Sequence, residues 1–331
     1  MKKKYNIDEL ELKNDTEEEQ LRTREIFENL KLRAESNSEF LEREKNFFCT
    51  CLKLSSKEND RKPTDFSICE NYIFKELYLT YFHNNLSGPF YKAIKGELVE
   101  VSHNEKVYDF KFLTSISKKW EKMISVTNHS DQVLREISIE TNRDLKQLKK
   151  KYSGLSKIFR KQQDDYELKK DKIILQSKFI YLLVIEVIQN NPKEDFEIPF
   201  NNEIIEFTIY SLVHIISRHY AEPIKGNEEK TYHYGNFYPT ELHIDLKNIL
   251  IKIGKLKKID INETDNIIFI FKDTYYQLYI QKRNKQIKGK GNVEIFRIQT
   301  FYPIYEKRKT EEIKRVLNLV QIDKNLSVFA K

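Results

Sequence analysis

The sequence predicts an α+β protein: a mainly helical N-terminal region with long antiparallel helices, then a small α+β domain in which two helices pack on an antiparallel sheet. Two observations support this fold class. Residues 114–190 contain one glycine and no proline and repeat apolar residues at helical spacing. Beyond them, two amphipathic helices precede three strand-like runs at 266–272, 275–282 and 293–302, an order typical of α+β domains.

The first hundred residues predict charged helix followed by a less regular segment. Thr16 precedes three glutamates, a pattern that caps and begins a helix, and residues 1–60 are expected to be mainly helical. Residues 62–101 are rich in aromatic side chains. Because residues 106–112 alternate polar and apolar side chains, we expect them to form a short strand paired with residues 95–101.

The glycine-poor segment predicts two long helices joined by a turn. Apolar periodicity runs through residues 114–152 and again through 158–190, with Ser153 and Gly154 between them. Two such helices are expected to fold back on each other as an antiparallel hairpin or a coiled-coil arm. Such an arm would allow the chain to form a homo-oligomer.

The Asn-Asn-Pro sequence at 190–192 is the clearest predicted boundary, because it ends a helix and the pattern changes after it. We therefore expect two domains. Residues 1–190 form a helical regulatory or oligomerisation region, and residues 191–331 form the α+β domain.

Composition and charge predict a cytoplasmic protein with a polyanionic partner. Lysine and arginine number 58 against 51 aspartates and glutamates, a net charge of +7. The three cysteines supply no disulfide framework, which fits a reducing compartment. No apolar leader follows the lysines at 2–4, and the apolar run 173–188 is interrupted by Lys178 and Glu186, so we expect neither secretion nor a membrane span.

Sequence motifs for metal or nucleotide binding are absent. The chain contains no HExxH, no DxD, no Cys-His constellation and no GxxxxGK run after a strand. We therefore expect no metal and no cofactor.

Residues 209–220 predict an amphipathic helix that carries candidate chemistry. Its inward face is formed by Ile209, Leu212, Val213, Ile216 and Tyr220. His219 lies on the flank of that face, about 80° from its centre at 100° per residue. His214 and Arg218 share the opposite side, which faces solvent if only one face of the helix is covered.

Three segments carry a resemblance to a known family. They are His-Ile-Ile-Ser-Arg-His at 214–219, the aromatic segment at 232–239 before the second helix, and Arg-Ile-Gln-Thr-Phe-Tyr-Pro at 297–303. Over residues 196–305 the chain resembles the barnase, EndoU, colicin and RelE-like superfamily of ribonucleases, whose members recur as toxin tips and phage-defence effectors. The tight Gly-His spacing of EndoU is absent, which indicates a divergent branch. Residues 1–190 share no such resemblance.

The resemblance implies an endoribonuclease that cleaves RNA without a metal ion and leaves a 2′,3′-cyclic phosphate. Such cleavage needs a base for the 2′-hydroxyl and an acid for the leaving 5′-oxygen, and histidine serves both roles near neutral pH. The family comparison and the helical wheel both favour His219. A loop containing proline and glycine separates it from His233, so both rings can reach one phosphate. Thr300 and Tyr302 share one face of a strand, where both hydroxyls are expected at the same phosphate.

Basic residues are the candidate substrate-binding groups. No acidic residue occurs from Thr274 to Val293, and a flexible basic loop there suits a phosphate backbone. The predicted substrate-binding residues are His214, Arg218, Lys230, Lys282, Arg283, Lys285, Lys288 and Lys290.

Each assignment has an alternative. His219 is also explained as a structural histidine at a helix interface, His233 as part of an exposed strand or an aromatic RNA-stacking platform, and the basic loop as a hairpin tip kept soluble by lysine. The alternative function is a non-catalytic nucleic-acid or protein-binding adaptor that oligomerises through its long helices. A ribonuclease toxin or anti-phage effector implies, besides RNA, a protein inhibitor or sensor as partner.

Overall fold

The computed structural model describes residues 4–6, 8–10, 16–36, 38, 40–55, 74–83, 88–94, 97–126, 128–152, 160–220, 232–233, 236–287 and 291–330. The chain divides into two compact units, Met1–Ile116 and Ser117–Lys331. The predicted helix end at Asn190 is confirmed, and the compact units divide between residues 116 and 117. The division of the chain into a regulatory region and an α+β domain at residue 190 stays a prediction.

The N-terminal unit contains helices and one small hairpin. Its elements are a 3₁₀ turn at Asp8–Leu10, α1 (Glu17–Glu35), α2 (Glu42–Ser55), a π-helical turn at Leu79–His83, β1 (Tyr91–Ile94), β2 (Glu97–Glu100) and the first part of α3 (His103–Ile124). The helix start at Thr16 is confirmed. Its side chain accepts a hydrogen bond from the Glu19 backbone N–H at 3.2 Å, and the Glu19 side chain accepts one from the Thr16 N–H at 3.1 Å.

The strand predicted at residues 106–112 is wrong, because this segment lies within α3. Its alternation is part of a longer helical pattern that buries Leu113, Ile116, Trp120 and Ile124 at spacings of three and four. The strand β2 pairs instead with β1, antiparallel, through residues 91–94.

A buried ion pair joins α1 to α2. The Arg33 guanidinium donates to both carboxylate oxygens of Glu44, at 2.7 and 3.0 Å. Glu44 also accepts the backbone N–H groups of Tyr5 and Leu41. These bonds lower the pKa of Glu44 even though burial, the largest single influence, raises it. The carboxylate is therefore held ionised inside the unit.

Two long helices of the C-terminal unit are antiparallel, as predicted. The helix α4 spans Gln132–Tyr152 and α5 spans Arg160–Asn190. The Tyr181 hydroxyl of α5 donates to Asp131, just before α4, and the Tyr152 and Tyr166 rings meet at 5.4 Å at the other end. The predicted turn at Ser153 and Gly154 lies outside the described residues.

These helices belong to the core of the C-terminal unit and do not form a separate arm. Ile137 of α4 and Val184 of α5 are buried in the same apolar cluster as Leu212 and Phe301. The helix α5 contains one stretch long and apolar enough to cross a membrane, at Gln162–Asn190. Half of its most apolar window is buried inside the protein, as in the core helix of a soluble protein.

A mixed seven-stranded sheet organises the rest of this unit. Its strands are β3 (Glu197–Phe200), β4 (Glu203–Glu206), β5 (Asn266–Phe271), β6 (Thr274–Ile287), β7 (Gly291–Ile304), β8 (Asn318–Gln321) and β9 (Leu326–Ala330). The order is β3-β4-β7-β6-β5-β9-β8. Neighbours pair antiparallel except β4 and β7, which run parallel over a short register. The three predicted strands are confirmed as β5, β6 and β7.

Helices lie on both faces of the sheet. The helices α6 (Ile209–His219) and α7 (Leu242–Gly254) pack on the inner face, where Phe269, Leu278 and Phe301 are buried with Leu212 and Leu246. The helix α8 (Lys307–Val316) packs its Ile313 against Ile304 and Phe329 on the outer face. The two predicted helices are therefore confirmed, and the structure adds α8, which covers part of the opposite face.

A β-bulge in β7 determines which side chains reach the outer face. Tyr279 pairs with Thr300 while the next residue, Ile280, pairs with Ile298, so Gln299 is the extra residue. Ile298 and Phe301 are consequently both buried on the inner face, although three positions separate them. Thr300 and Tyr302 then share the outer face.

Candidate functional site

The helix α6 brings its last residue to the free edge of β7. Thr208 caps its start, and the Ser211 hydroxyl donates to the Ile298 carbonyl of β7 at 2.6 Å. This bond fixes the helix beside a part of β7 that β4 does not pair with, because β4 stops at the level of Arg297. The predicted amphipathic helix is confirmed, and Leu212, Val213 and Ile216 are buried.

His219, at the end of α6, contacts both predicted hydroxyl residues. Its Nε2 lies 3.0 Å from the Thr300 hydroxyl oxygen, and its ring stacks on Tyr302 with centroids 5.2 Å apart. All three side chains are half-buried. The structure thus brings together residues 81 positions apart in sequence, with the imidazole still reached by solvent.

A polar network continues from Tyr302 across the outer face. Its hydroxyl donates to the Gln277 side-chain oxygen at 2.8 Å. Lys309 of α8 donates to the same oxygen at 2.8 Å, lies 3.4 Å from the Tyr302 hydroxyl, and stands 5.2 Å from the centre of its ring. Lys309 therefore places a positive charge beside the phenol.

Lys309 and Gln277 are site residues that the sequence reasoning missed. Lys309 lies in a helix with many charged residues and no distinguishing spacing. Gln277 lies opposite Tyr302 in the β6–β7 register. An alignment of the predicted strands β6 and β7 in this register would have placed Gln277 beside Tyr302.

His233 lies close to His219 in a different environment. The ring centroids are 6.3 Å apart, and the His233 backbone N–H donates to the His219 carbonyl at 2.9 Å, which returns the chain to the end of α6. The His233 ring is surrounded by Tyr220, Phe237, Tyr276 and Phe301. The structure thus brings the second predicted histidine to the site, inside an aromatic pocket.

Burial keeps the His233 imidazole neutral. Its Nε2–H donates to the Phe301 carbonyl at 3.1 Å, while its Nδ1 is buried with no hydrogen-bond partner in the described part of the chain. Burial lowers the pKa of His233 to about 4, and the nearby His219 contributes in the same direction. Neither nitrogen is free to exchange a proton with a substrate at neutral pH.

His214 and Arg218 do not face solvent, because α4 covers the second side of α6. Arg218 donates to Asp144 at 2.6 Å and to Glu140, and both carboxylates come from α4. The His214 Nδ1 lies 3.0 Å from the other Glu140 oxygen. The predicted exposure of these two residues is wrong, and carboxylates of α4 already bond to both side chains. They are poorly suited to contact a phosphate.

The predicted basic loop is described only in part. Lys282 pairs with Glu294 at 2.8 Å and lies over the inner-face Phe296, whereas Arg283 is exposed on the outer face. Lys230, Lys288, Lys290 and the side chain of Lys285 lie outside the described residues. Lys282 is therefore separated from the His219 face.

Among the residues that the structure describes, no group of three or more His, Cys, Asp and Glu side chains is placed to hold a metal ion.

Comparison of the chain with family models, with curated proteins and with solved structures found no match.

Proposed function

We propose that this protein is a cytoplasmic, metal-independent endoribonuclease that acts as a toxin or anti-phage effector. The observation that supports this best is the contact of the half-buried His219 with Thr300 and Tyr302, beside Lys309. One titratable imidazole, two hydroxyls and an ammonium group at one place are the groups that phosphodiester cleavage requires.

The proposed reaction divides the proton transfers between His219 and Tyr302. The substrate 2′-hydroxyl displaces the Thr300 hydroxyl from the unprotonated His219 Nε2 and gives its proton to that nitrogen. The 2′-oxygen bonds to phosphorus, the bond to the 5′-oxygen breaks, and the leaving oxygen takes the Tyr302 proton. The products are a 2′,3′-cyclic phosphate and a 5′-hydroxyl, and solvent then carries the proton from His219 back to Tyr302.

The remaining groups stabilise the phosphorane and hold the site. The Lys309 ammonium and the Thr300 hydroxyl face its negative oxygens. His233 has a positioning role, since its bond to the Phe301 carbonyl secures the free edge of β7 between Thr300 and Tyr302. A protein inhibitor or sensor partner accompanies a ribonuclease of this kind in its own cell.

Incubation of the purified protein with total RNA in EDTA tests the proposal. We expect cleavage that survives chelation and leaves cyclic phosphate ends. The variant His219→Ala should lose at least about 100-fold in rate, the usual contribution of one acid-base residue. The matched control His103→Ala removes an exposed histidine at the start of α3 and should keep full activity.

Three outcomes would contradict the proposal. Intact RNA with retained, salt-dependent binding would favour the nucleic-acid adaptor. Tight self-association with no RNA affinity would favour a protein-binding scaffold that oligomerises through its long helices. Equal cleavage by the wild type and His219→Ala would locate the reaction elsewhere.

A further inference from the structure

Two arginines lie on the outer face of the sheet beyond the His219 site. Arg297 of β7 pairs in register with Gln281, and Arg283 lies two positions further along β6, so both share the face of Thr300 and Tyr302. Tyr279 lies directly opposite Thr300, between the arginines and the site. Arg297 is three residues from Thr300, roughly 10 Å at about 3.3 Å per residue.

Arg297 is held in a fixed position. Its guanidinium lies 4.0 Å from the centre of the Tyr210 ring, and one of its NH₂ groups donates to the bulge residue Gln299 at 2.8 Å. The side-chain amide of Gln299 in turn donates to the Tyr210 hydroxyl. The His214 ring stacks on Tyr210, with the ring centroids 5.4 Å apart. The arginine is therefore preorganised rather than free to swing into solvent.

Two cations lie close together at this place, where Glu206 of β4 is the register partner of Arg297. In the described residues no carboxylate forms an ion pair with Arg283 or Arg297, and the Arg297 Nε is buried without a partner. Burial and then the charge of Arg283 lower the pKa of Arg297, while Tyr210 and Glu136 act in the opposite direction. A half-buried cation beside a second cation is unfavourable unless an anion joins them.

We propose that Arg283 and Arg297 form a second phosphate subsite, and that the substrate is a single strand of RNA lying along the outer face of β7. Its scissile phosphate lies at His219, Thr300 and Lys309, and a neighbouring phosphate lies between the two arginines. The exposed Arg283 and the Tyr279 ring provide charge and an aromatic surface without reading bases. This inference rests on the proposed function.

Cleavage of single-stranded RNAs of increasing length tests the subsite. The wild type should cleave a hexanucleotide with a kcat/KM at least about tenfold above that of a dinucleotide, which leaves the subsite empty. The variants Arg283→Ala and Arg297→Gln should lose that advantage and keep the dinucleotide rate. Each lost contact should also lower the slope of log kcat/KM against log salt by about 0.7.

The matched control is Lys282→Ala. It removes one positive charge next to Arg283 but on the inner face, where Lys282 pairs with Glu294. It should behave as the wild type. Equal kcat/KM for short and long RNA in the wild type, or equal losses in Lys282→Ala and Arg283→Ala, would overturn the subsite. Since Arg283 is exposed, its variant is informative even if Arg297→Gln fails to fold.

A binding measurement separates failure of the subsite from failure of the proposed function. The anisotropy of a labelled 2′-O-methyl hexanucleotide, which cannot be cleaved, reports binding without chemistry. If the wild type cleaves nothing but Arg283→Ala binds this probe about tenfold more weakly, the phosphate subsite stands and the ribonuclease proposal falls. If Arg283→Ala and the wild type bind it equally, the subsite is excluded whatever the activity.

Discussion

His219 and His233 lie side by side and have opposite surroundings. His219 meets a hydroxyl and a phenol on the outer face and remains half-exposed. His233 lies among four aromatic rings and bonds to a backbone carbonyl. The difference shows that convergence in space does not make two histidines chemically equivalent, because burial lowers the pKa of His233 and keeps its imidazole neutral near pH 7.

The two histidines are also secured differently. His233 is held by packing, whereas the residue before His219 is held by charge: Arg218 bonds to Asp144 and Glu140 of α4. Burial, the largest influence, raises the pKa of Glu140, but His214 and Arg218 outweigh it, so the pKa is lowered and the carboxylate stays ionised. This cluster fixes the end of α6 from which His219 projects.

The largest expected effect comes from breaking that cluster. The variant Arg218→Met leaves two buried carboxylates without their cation, and the free energy of unfolding should fall by about 3–5 kcal/mol. Urea denaturation measures it. The control Arg308→Met removes an exposed arginine paired with Glu312 in α8 and should change stability little. Equal stability of Arg218→Met and the wild type would mean that packing alone holds α6.

The second largest expected effect is the pH dependence of stability that the burial of His233 causes, and it tests the contrast between His219 and His233. The unfolded chain protonates His233 near its ordinary pKa of 6.5, while the native state does so only near pH 4. The unfolded state therefore binds more protons between these values, and the free energy of unfolding should decrease by about 3 kcal/mol as the pH falls from 6.5 to 4.

The variant His233→Phe should remove this part of the pH dependence. His243, whose pKa burial also lowers, contributes with the same sign in both proteins, so the difference between them isolates His233. Denaturant unfolding at several pH values measures the slopes. Parallel curves for the two proteins would show that His233 is protonated inside the fold and that the contrast with His219 is wrong.

The smallest expected effect is on the rate of RNA cleavage and comes from a side chain on the outer face of the sheet. The variant Lys309→Ala removes the charge beside Tyr302, and the rate of RNA cleavage should fall by about tenfold, with folding unchanged. Steady-state kinetics on one RNA measures it. Lys307→Ala, an exposed lysine of the same helix, is the matched control. Equal losses of cleavage rate in both variants would show that Lys309 contributes only as one of several positive surface charges.

Much of the C-terminal unit can be predicted from local patterns. The helix α6, the three strands β5–β7 and the shared face of Thr300 and Tyr302 all result from periodicities of 3.6 and 2. Because these periods are set by the backbone, residues a few positions apart are placed correctly without knowledge of the tertiary fold.

The structural features that could not be predicted from the sequence depend on contacts between residues far apart along the chain. Arg218 is predicted to be exposed because Glu140 and Asp144, which cover it, precede it by more than 70 residues. Likewise, residues 106–112 alternate like a strand only within a short window, and the buried face of α3 decides their helical structure. The aromatic pocket around His233 is assembled from several separate segments.

The bulge at Gln299 makes the site depend on the length of β7 rather than on its composition alone. Exchange of an outer-face side chain changes one contact, but the gain or loss of one residue between Ile298 and Thr300 would reverse the orientation of every later side chain in the strand. Thr300 and Tyr302 would then turn inward and Phe301 outward. Homologous chains that diverge freely in sequence should therefore avoid insertions and deletions at this point.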